Sequence, residues 1–572
     1  MEIQTEGDFA GAYKYTNTSL GRPNGQSNGT GIYFNEVFTS GKGGEGQTFF
    51  NDGYQYIIFD FYATESVYSL ELQIGSWSVN GNTWIEQVTA GKTFNSDYVS
   101  IYNQNGEKVN SWTAGEWYTM VIKPLQCPAT NAWEYPLNIQ TNAETAASAA
   151  PVMYIKNATY SSEPISLPEL PVNPYKPTSL TVSLYDVGNS IYGFTYNTQS
   201  QPIDPTIFIS EVGSSKWTEY EASVEEATSY SESDILFTYY ISKAEIELVP
   251  YTTYEYYAAD KGIGVKTDVA RLRTKDTTST NFTFAHVADT QEYPEYFSSV
   301  LQSVAGDVDF LVHTGDVVET SKYESEWKEM LDGNFEYLSS IPVQAISGNH
   351  ETTYKNGSNE TYKHFNYSIP EQATSLGFYY SFVYGNVKFI MLNTNDLTNN
   401  QLKADQYNWL ISELQSNTAT WTIVAMHNPI YSAGRYGSDP NRNFIALALR
   451  EQLQGVFAEY GVDFVLQGHD HVVSRTKPID ENGVAQEETV ETINGVDYSV
   501  NPNGVLYMMT GTSGGQTRTP ITTDATVYEY ALASNARTWT EFNVNGNTIE
   551  VVVKYYNGEK EVEVVRWGIK KA

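Results

Sequence analysis

Gly348-Asn349-His350-Glu351 and Gly468-His469-Asp470-His471 are the two stretches on which the reading of this 572-residue chain turns. Each follows a short apolar run of the kind a buried strand makes, Ile341 to Ile346 before the first and Val462 to Leu466 before the second. Three further clusters are placed in the same way. Asp289-Thr290-Gln291 follows Phe282 to Ala288, Gly315-Asp316-Val317-Val318-Glu319 follows Val308 to His313, and His427-Asn428-Pro429 follows Trp421 to Met426. All seven histidines of the chain lie between His286 and His471. Helical patterns over 401–415 and 441–460 separate some of the strands, so this half reads as α/β. In such sheets the ligand site forms beyond the carboxyl ends of the strands, where the five clusters lie. A hairpin over 542–553 and 560–565 is expected to close one edge of the sheet.

The residue types suit a pair of metal ions. Two ions ~3.5–4 Å apart need one bridging carboxylate and terminal ligands on both sides. Asp316 is the natural bridge, because Gly315 lets the chain turn tightly before it. Asp289 would serve the first ion, and Asn349 with His427 the second. The alternation in Gly468-His469-Asp470-His471 puts two imidazoles on one side of an extended backbone, one for each ion. His350 follows a ligand and suits hydrogen bonding to substrate or proton donation to a leaving group. Alone, a Gly-Asp or Gly-Asn turn is only a turn and His427 a core or capping histidine. Five such clusters in order, each ending a strand, read as a site. His286, His313 and His364 fall outside the pattern and are assigned to the core.

Outside this region the chain reads as all-β. Residues 1–165 alternate apolar and polar positions in short runs, such as Tyr56 to Tyr62, Ser69 to Ile74, Tyr118 to Lys123 and Val152 to Lys156, which predicts a β-sandwich or jelly roll. Trp77, Trp84 and Trp133 could stack on sugar rings there, although core aromatics explain them as well. Residues 166–177 form a proline-punctuated linker. Residues 178–276 carry a second set of alternating strands resembling a fibronectin type III-like sandwich, and 277–572 form the α/β domain.

Forty-five Tyr, 24 Phe and 11 Trp agree with sheet-rich structure. A formal net charge of −35 argues against nucleic acid or an anionic membrane as partner. An anionic substrate must then be drawn in by local positive charge. The single Cys127 excludes an intramolecular disulfide and a cysteine-based zinc site. No apolar run is long enough for a membrane span. The Gly- and Asn-rich start, without a leader, suits a secreted or cell-surface bacterial protein whose signal peptide has been removed.

The order of clusters resembles the calcineurin-like metallophosphoesterases. Gly468 to Thr476 and Tyr507 to Gly515, together with a fibronectin-like domain just upstream, are similar to bacterial purple acid phosphatase relatives over roughly residues 178–572. That resemblance implies a two-sheet β-sandwich flanked by helices. It implies Asp289, Asp316 and His471 at metal one, and Asp316, Asn349, His427 and His469 at metal two. Two positions depart from the family. Glu319 stands where purple acid phosphatases have a tyrosinate, so no purple colour is expected. Gln291 stands where other superfamily members have a histidine. Both are candidate ligands, which makes the first metal's set oxygen-rich, compatible with Fe, Zn, Mn, Mg or Ca. Tyr431, Arg435 and Tyr436 occupy a loop that faces substrate in the family; Arg475 and Arg518 are weaker candidates.

The implied activity is that of a secreted phosphatase. A metal-bridging hydroxide would attack a phosphate monoester in line, with His350 assisting the leaving group. The implied partner is a small-molecule phosphate ester, with a glycan as a further candidate for the first domain. The alternatives are a phosphodiesterase acting on nucleotides or phospho-glycans, and a non-catalytic surface binding protein with a decayed site.

Overall fold

The computed structural model describes residues 174–572 apart from 232–234, 353–359, 375–376, 534–535 and 558–559. Before these it describes 2–3, 12–16, 32–33, 56–65, 67, 69–74, 86–93, 99–104, 106, 108–123, 137–142 and 152–161. The chain forms two compact units, residues 1–173 and 174–572.

In the first unit, strands including Tyr56–Ala63, Trp117–Ile122 and Val152–Ser161 build a seven-stranded sheet, and Leu137–Asn142 and Ser69–Ile74 belong to a four-stranded one. Alternation decides which residues go inside. Tyr56–Ala63 buries Ile57, Phe59, Phe61 and Ala63, and these share a core with Leu70, Leu72, Met120 and Ile139. Trp77, Trp84, Trp133 and Cys127 lie outside the described residues, as do residues 166–173 of the expected linker.

The second unit begins with two antiparallel sheets over Thr178–Arg273. One has the order Thr178–Asp186, Ile191–Thr198, Leu236–Glu247, Ser223–Tyr230; the other is built around Pro205–Glu211 and Thr253–Asp260. This segment is joined to the rest of the unit by buried polar contacts. Gln344 Nε2 donates to the Leu184 carbonyl at 3.1 Å, and Thr181 Oγ1 to that of His364 at 2.6 Å. Lys243 Nζ donates to the carbonyls of Tyr362 and Phe365 at 2.7 and 2.8 Å. Such contacts satisfy backbone groups that packing removes from water.

Residues 281–570 form two larger sheets. In the first, Val343–Ala345, Phe310–His313 and Asn281–Val287 are parallel neighbours. In the second, Val387–Leu392, Trp421–Met426, Phe464–Gln467 and Leu506–Thr510 are parallel neighbours. Trp421–Met426 and Phe464–Gln467 are buried at every position, as strands covered on both faces must be. Phe284 is fully buried, with ring centroids 5.5 Å from Phe310, 4.6 Å from Phe542 and 5.1 Å from Phe389. Phe389 belongs to the second sheet, so this cluster fastens the two layers together.

Three expectations need correction. The C-terminal hairpin does not close an edge. Thr538–Asn545, Thr548–Tyr556 and Glu561–Lys570 run through the middle of an eight-stranded sheet, between Asn281–Val287 and Val496–Val500, and the edges are Val343–Ala345 and Val490–Ile493. The 401–415 pattern splits, because Gln401–Leu402 pairs with Leu397–Thr398 before the helix Ala404–Gln415. The helix expected over 441–460 spans Phe444–Glu459. No helix among the described residues is long and apolar enough to cross a membrane.

Phe284→Ala should lower the stability of the second unit by about 3–5 kcal/mol. The check is the midpoint of its chemical denaturation; a loss below about 1 kcal/mol would show that the sheets are held together elsewhere. His286 gives a pH-dependent counterpart. It is fully buried, with Nε2 2.9 Å from Thr314 Oγ1, and burial, helped by the neighbouring His313, lowers its pKa to about 3. Its ordinary value is 6.5, so between the two the unfolded state binds the extra proton and stability falls as pH falls. His286→Gln should remove up to about one proton's worth of that slope between about pH 6.5 and 4. Identical slopes in the two proteins would refute the assignment.

Candidate metal centre

The five clusters converge at the carboxyl ends of the parallel strands. Asp316, His427 and His469 come from three strands, and one ligand atom from each lies within 4.8 Å of the others. His427 Nε2 is 3.2 Å from Asp316 Oδ2 and 2.9 Å from Asn349 Oδ1. On the other side, His471 Nε2 is 3.4 Å from Asp289 Oδ1 and 3.3 Å from Gln291 Nε2. Asp289 also accepts the His469 N–H at 2.9 Å.

Backbone strain accompanies the convergence. Asp289, Asp316, His469 and His471 all have positive φ, at 53°, 56°, 77° and 51°. Non-glycine residues are rare there, and such outliers persist only where surroundings over-determine them. The surroundings do so here. Asp289 N–H donates to the Gly315 carbonyl at 3.1 Å, and Thr290 N–H to that of Asp316 at 2.9 Å. Gly348 admits the Asp316 carboxylate to a space that a Cβ would fill, and a Cβ on Gly468 would come within 2.9 Å of the Thr314 carbonyl.

Glu351 is the member of the site that the sequence reading passed over. It is fully buried, and its carboxylate accepts the N–H groups of Asp316 at 2.9 Å, Val317 at 2.8 Å and Gly348 at 2.7 Å. One side chain thereby fixes the Asp316 turn against the Gly348 turn. A carboxylate beside two glycine turns, each with bare N–H groups, was the available signal.

The donors fit a cation. His427 Nδ1 is 2.8 Å from the Thr314 carbonyl, and His471 Nδ1 is 2.5 Å from that of Gln516. A carbonyl can only accept, so each ring carries a proton on Nδ1 and turns Nε2 inward, the nitrogen that would ligate a metal once it gives up any proton of its own. Gln291 Oε1 is buried without a hydrogen-bond partner, an acceptor directed at nothing the protein supplies. Charge agrees. Burial works against a charged imidazole, yet the Asp316 carboxylate raises His427 to about 9. Burial and then His427 hold His469 well below its ordinary value. Burial alone would raise Asp316, but His427, His350 and His469 hold it below the usual carboxylate range. Burial and the nearby Asp316 raise Glu351 to about 7. Without a metal the cluster thus keeps a proton on His427, in a place that a cation would take.

His350 stands at the rim. Its Nε2 is 3.9 Å from Asp316 Oδ2, and its Nδ1 is 2.6 Å from the Glu319 carbonyl. Burial opposes its charged form, but Asp316 and Glu319 raise its pKa above the ordinary value. Glu319 itself is a correction. Its side chain is 44% exposed and lies 3.6 Å from His350 Nδ1, because Glu351 pins the preceding Val317 and directs the chain outward. It is a neighbour of His350, not a member of the ligand cluster.

The substrate loop divides. Tyr436 packs its ring 3.9 Å from that of His469, and its N–H donates to Asp470 at 2.9 Å. Arg435 lies over Tyr436, with Cζ 4.8 Å from the ring centroid. Tyr431 does not face the site. It is buried, its ring packs on Tyr507 at 4.7 Å, and its hydroxyl donates to Gln454 on the Phe444–Glu459 helix. Arg475 is likewise structural, paired with Glu488 and lying 4.0 Å over the Trp567 ring. Arg518 donates its N–H to the His471 carbonyl at 3.3 Å. Of the histidines assigned to the core, His313 bonds Thr290 Oγ1 at 3.0 Å, and His364 stacks on Trp327 at 4.1 Å.

Residues 282–473 match the family model of calcineurin-like phosphoesterases. Purple acid phosphatase 15 of Arabidopsis thaliana is 25% identical over 190 residues, which are 32% of this chain and 31% of that protein. Purple acid phosphatase 23 of the same plant is 24% identical over 385 residues, 59% of this chain and 77% of that one. The structure of purple acid phosphatase PPD1 from yellow lupin (Lupinus luteus) seeds superposes with a TM-score of 0.58, covering 90% of each chain at 15% identity, a likeness of fold. The segment 282–473 is therefore similar to calcineurin-like phosphoesterases, and the chain that carries it is similar to purple acid phosphatases.

Proposed function

We propose that this protein is a metal-dependent phosphomonoesterase with a dinuclear centre. The observation that carries the proposal is the paired set of inward Nε2 atoms, His427 beside Asp316 and His471 beside Asp289, each ring anchored through Nδ1 to a backbone carbonyl. Asp289, His471 and Gln291 would hold one ion, and Asn349, His427 and His469 the other, with Asp316 between them. Ions so held neutralise charge on phosphoryl oxygens and make water acidic enough to ionise near neutral pH.

The remaining chemistry belongs to side chains that touch no ion. His350 faces the open side of Asp316, 22% exposed, where a leaving-group oxygen can approach. With its pKa raised it carries a proton to give, and the Glu319 carbonyl fixes which ring nitrogen faces substrate. Tyr436 covers His469 and limits entry of water from that side. The fibronectin type III-like reading of 178–276, a glycan ligand for the first domain, and export from the cell remain parts of the same proposal. Their support is, respectively, the two-sheet arrangement, the aromatic content, and an acidic chain with one cysteine.

Asp316→Asn should lose both metals and about 1,000-fold or more of the activity, since a neutral amide cannot bridge two cations. Asparagine tolerates the left-handed backbone, so the fold should survive. His350→Ala should keep its metal content and lose about 100-fold in kcat. Elemental analysis beside steady-state kinetics checks both; full activity in Asp316→Asn would overturn the bridging role. Reconstituted with Mn, Zn or Fe, the protein should turn over p-nitrophenyl phosphate faster than bis(p-nitrophenyl) phosphate. The reverse order would favour the phosphodiesterase reading. Failure to bind metal, with no turnover of either, would leave a binding protein.

A further inference from the structure

Two arginines near the metal centre make no ion pair with a carboxylate among the described residues. The chain carries 68 acidic residues against 33 basic ones, and several arginines elsewhere find carboxylates: Arg271 sits on Glu255, Arg475 on Glu488 and Arg566 on Glu550 and Glu563, while Arg450 and Arg537 bond backbone carbonyls. Among the described residues, no carboxylate lies within ion-pair distance of the guanidinium of Arg435 or Arg518. Arg435 Nε is buried with no hydrogen-bond partner. Asp470, whose charge Arg518 favours from beyond ion-pair distance, is already engaged by the N–H groups of Tyr436 and Gly437.

Their loops are tied together. The N–H of Ile521 donates to the Ala433 carbonyl at 2.8 Å, which sets the 516–522 segment against the 431–438 segment. The same 516–522 segment wraps His471, through the Gln516 carbonyl on its Nδ1 and the Arg518 N–H on its own carbonyl. On the other loop, Arg435 packs on Tyr436 and Tyr436 on His469. Each arginine is thus anchored next to one histidine of the Gly468–His471 turn. Arg518 is near enough for its charge to disfavour the protonated forms of both His469 and His471. An anion arriving beside this turn would meet two guanidinium groups that no carboxylate among the described residues pairs.

That anion is not required to be the phosphoryl group that reacts. The reacting group belongs over Asp316, His427 and His469, and Arg435 is one aromatic ring removed from that cluster. We infer that Arg435 and Arg518 form a subsite for a second anionic group on the substrate, so that the preferred phosphate ester carries a further phosphate or carboxylate on its alcohol portion. The inference rests on the phosphomonoesterase reading and adds a substrate class to it. Guanidinium groups suit the task because they bind phosphate or carboxylate through two parallel N–H bonds.

The experiment compares three esters with the metal-loaded protein: p-nitrophenyl phosphate, with no second anion; 3-phosphoglycerate, with a carboxylate; and fructose 1,6-bisphosphate, with a second phosphate. The wild-type protein should show the higher kcat/KM for one or both dianion-bearing esters, and which one identifies the group. In Arg435→Gln and in Arg518→Gln the ratio of that kcat/KM to the value for p-nitrophenyl phosphate should fall about tenfold, the order that one charge-assisted hydrogen bond supplies. The change should lie mainly in KM, and Arg→Lys should restore part of it. A structural defect would lower all three esters in proportion, leave the ratio unmoved and overturn the inference. So would a wild-type preference for p-nitrophenyl phosphate. Absence of turnover with every ester, despite bound metal, would instead refute the phosphomonoesterase reading beneath it.

Discussion

The Glu351 carboxylate holds the centre in shape. It receives N–H groups from both the Asp316 turn and the Gly348 turn, and the strained backbone at Asp316 persists because of it. Buried carboxylates are costly unless their oxygens are satisfied, and this one is satisfied by donors that would otherwise be orphaned in a dry loop. The two requirements solve each other. The Asp316 carboxylate is then free of structural duty except for the His350 N–H at 2.9 Å. Its other oxygen faces His427, where a cation would be shared.

A second constraint comes from the two sheets. Three parallel strands of one and two of the other lead into the ligand clusters, so ligands distant in sequence become neighbours without long loops. Asp289 meets His469, and Gln291 meets His471, each across 180 residues of chain. Phe284, Phe389 and Phe542 set the spacing between the layers, so packing some residues away from the chemistry fixes the distance between ligands.

Much of the site was legible in the chain because ligand type and local position coincide. Each of the five clusters begins where a mostly apolar run stops, and a run buried on both faces is easy to see in a sequence. What escaped notice depended on direction. Glu319 is three residues past Asp316 and has a ligand's chemistry, but the pinned Val317 turns it toward solvent and His350. Tyr431 lies in the right loop and points at the wrong helix. Glu351 was in view as the fourth residue of its motif, yet its partners are backbone groups that no residue pattern reveals. The C-terminal strands fit the same account. Phe542 to Val553 reads as a hairpin from its alternation, but only the pairing of Asn281–Val287 with Thr538–Asn545 places it inside the sheet.

Charge distribution links the fold to its substrate. A chain of net charge −35 repels phosphate esters at a distance, so capture must depend on fields that act within a Debye length of ~8–10 Å. Cations bound as proposed would supply such a field at the ligand cluster, centred on the reacting group and neutralised once that group arrives. Arg435 and Arg518 lie outside the cluster, on loops fixed to the His469–His471 turn, and keep their charge when the centre is filled. An ester with one phosphate gains nothing further from them. An ester with two anionic groups meets positive charge at both ends and is held in one orientation, which presents the first phosphoryl to Asp316 and its oxygen to His350. The acidic surface then works for selectivity, because elsewhere on the protein such an ester is the most strongly repelled.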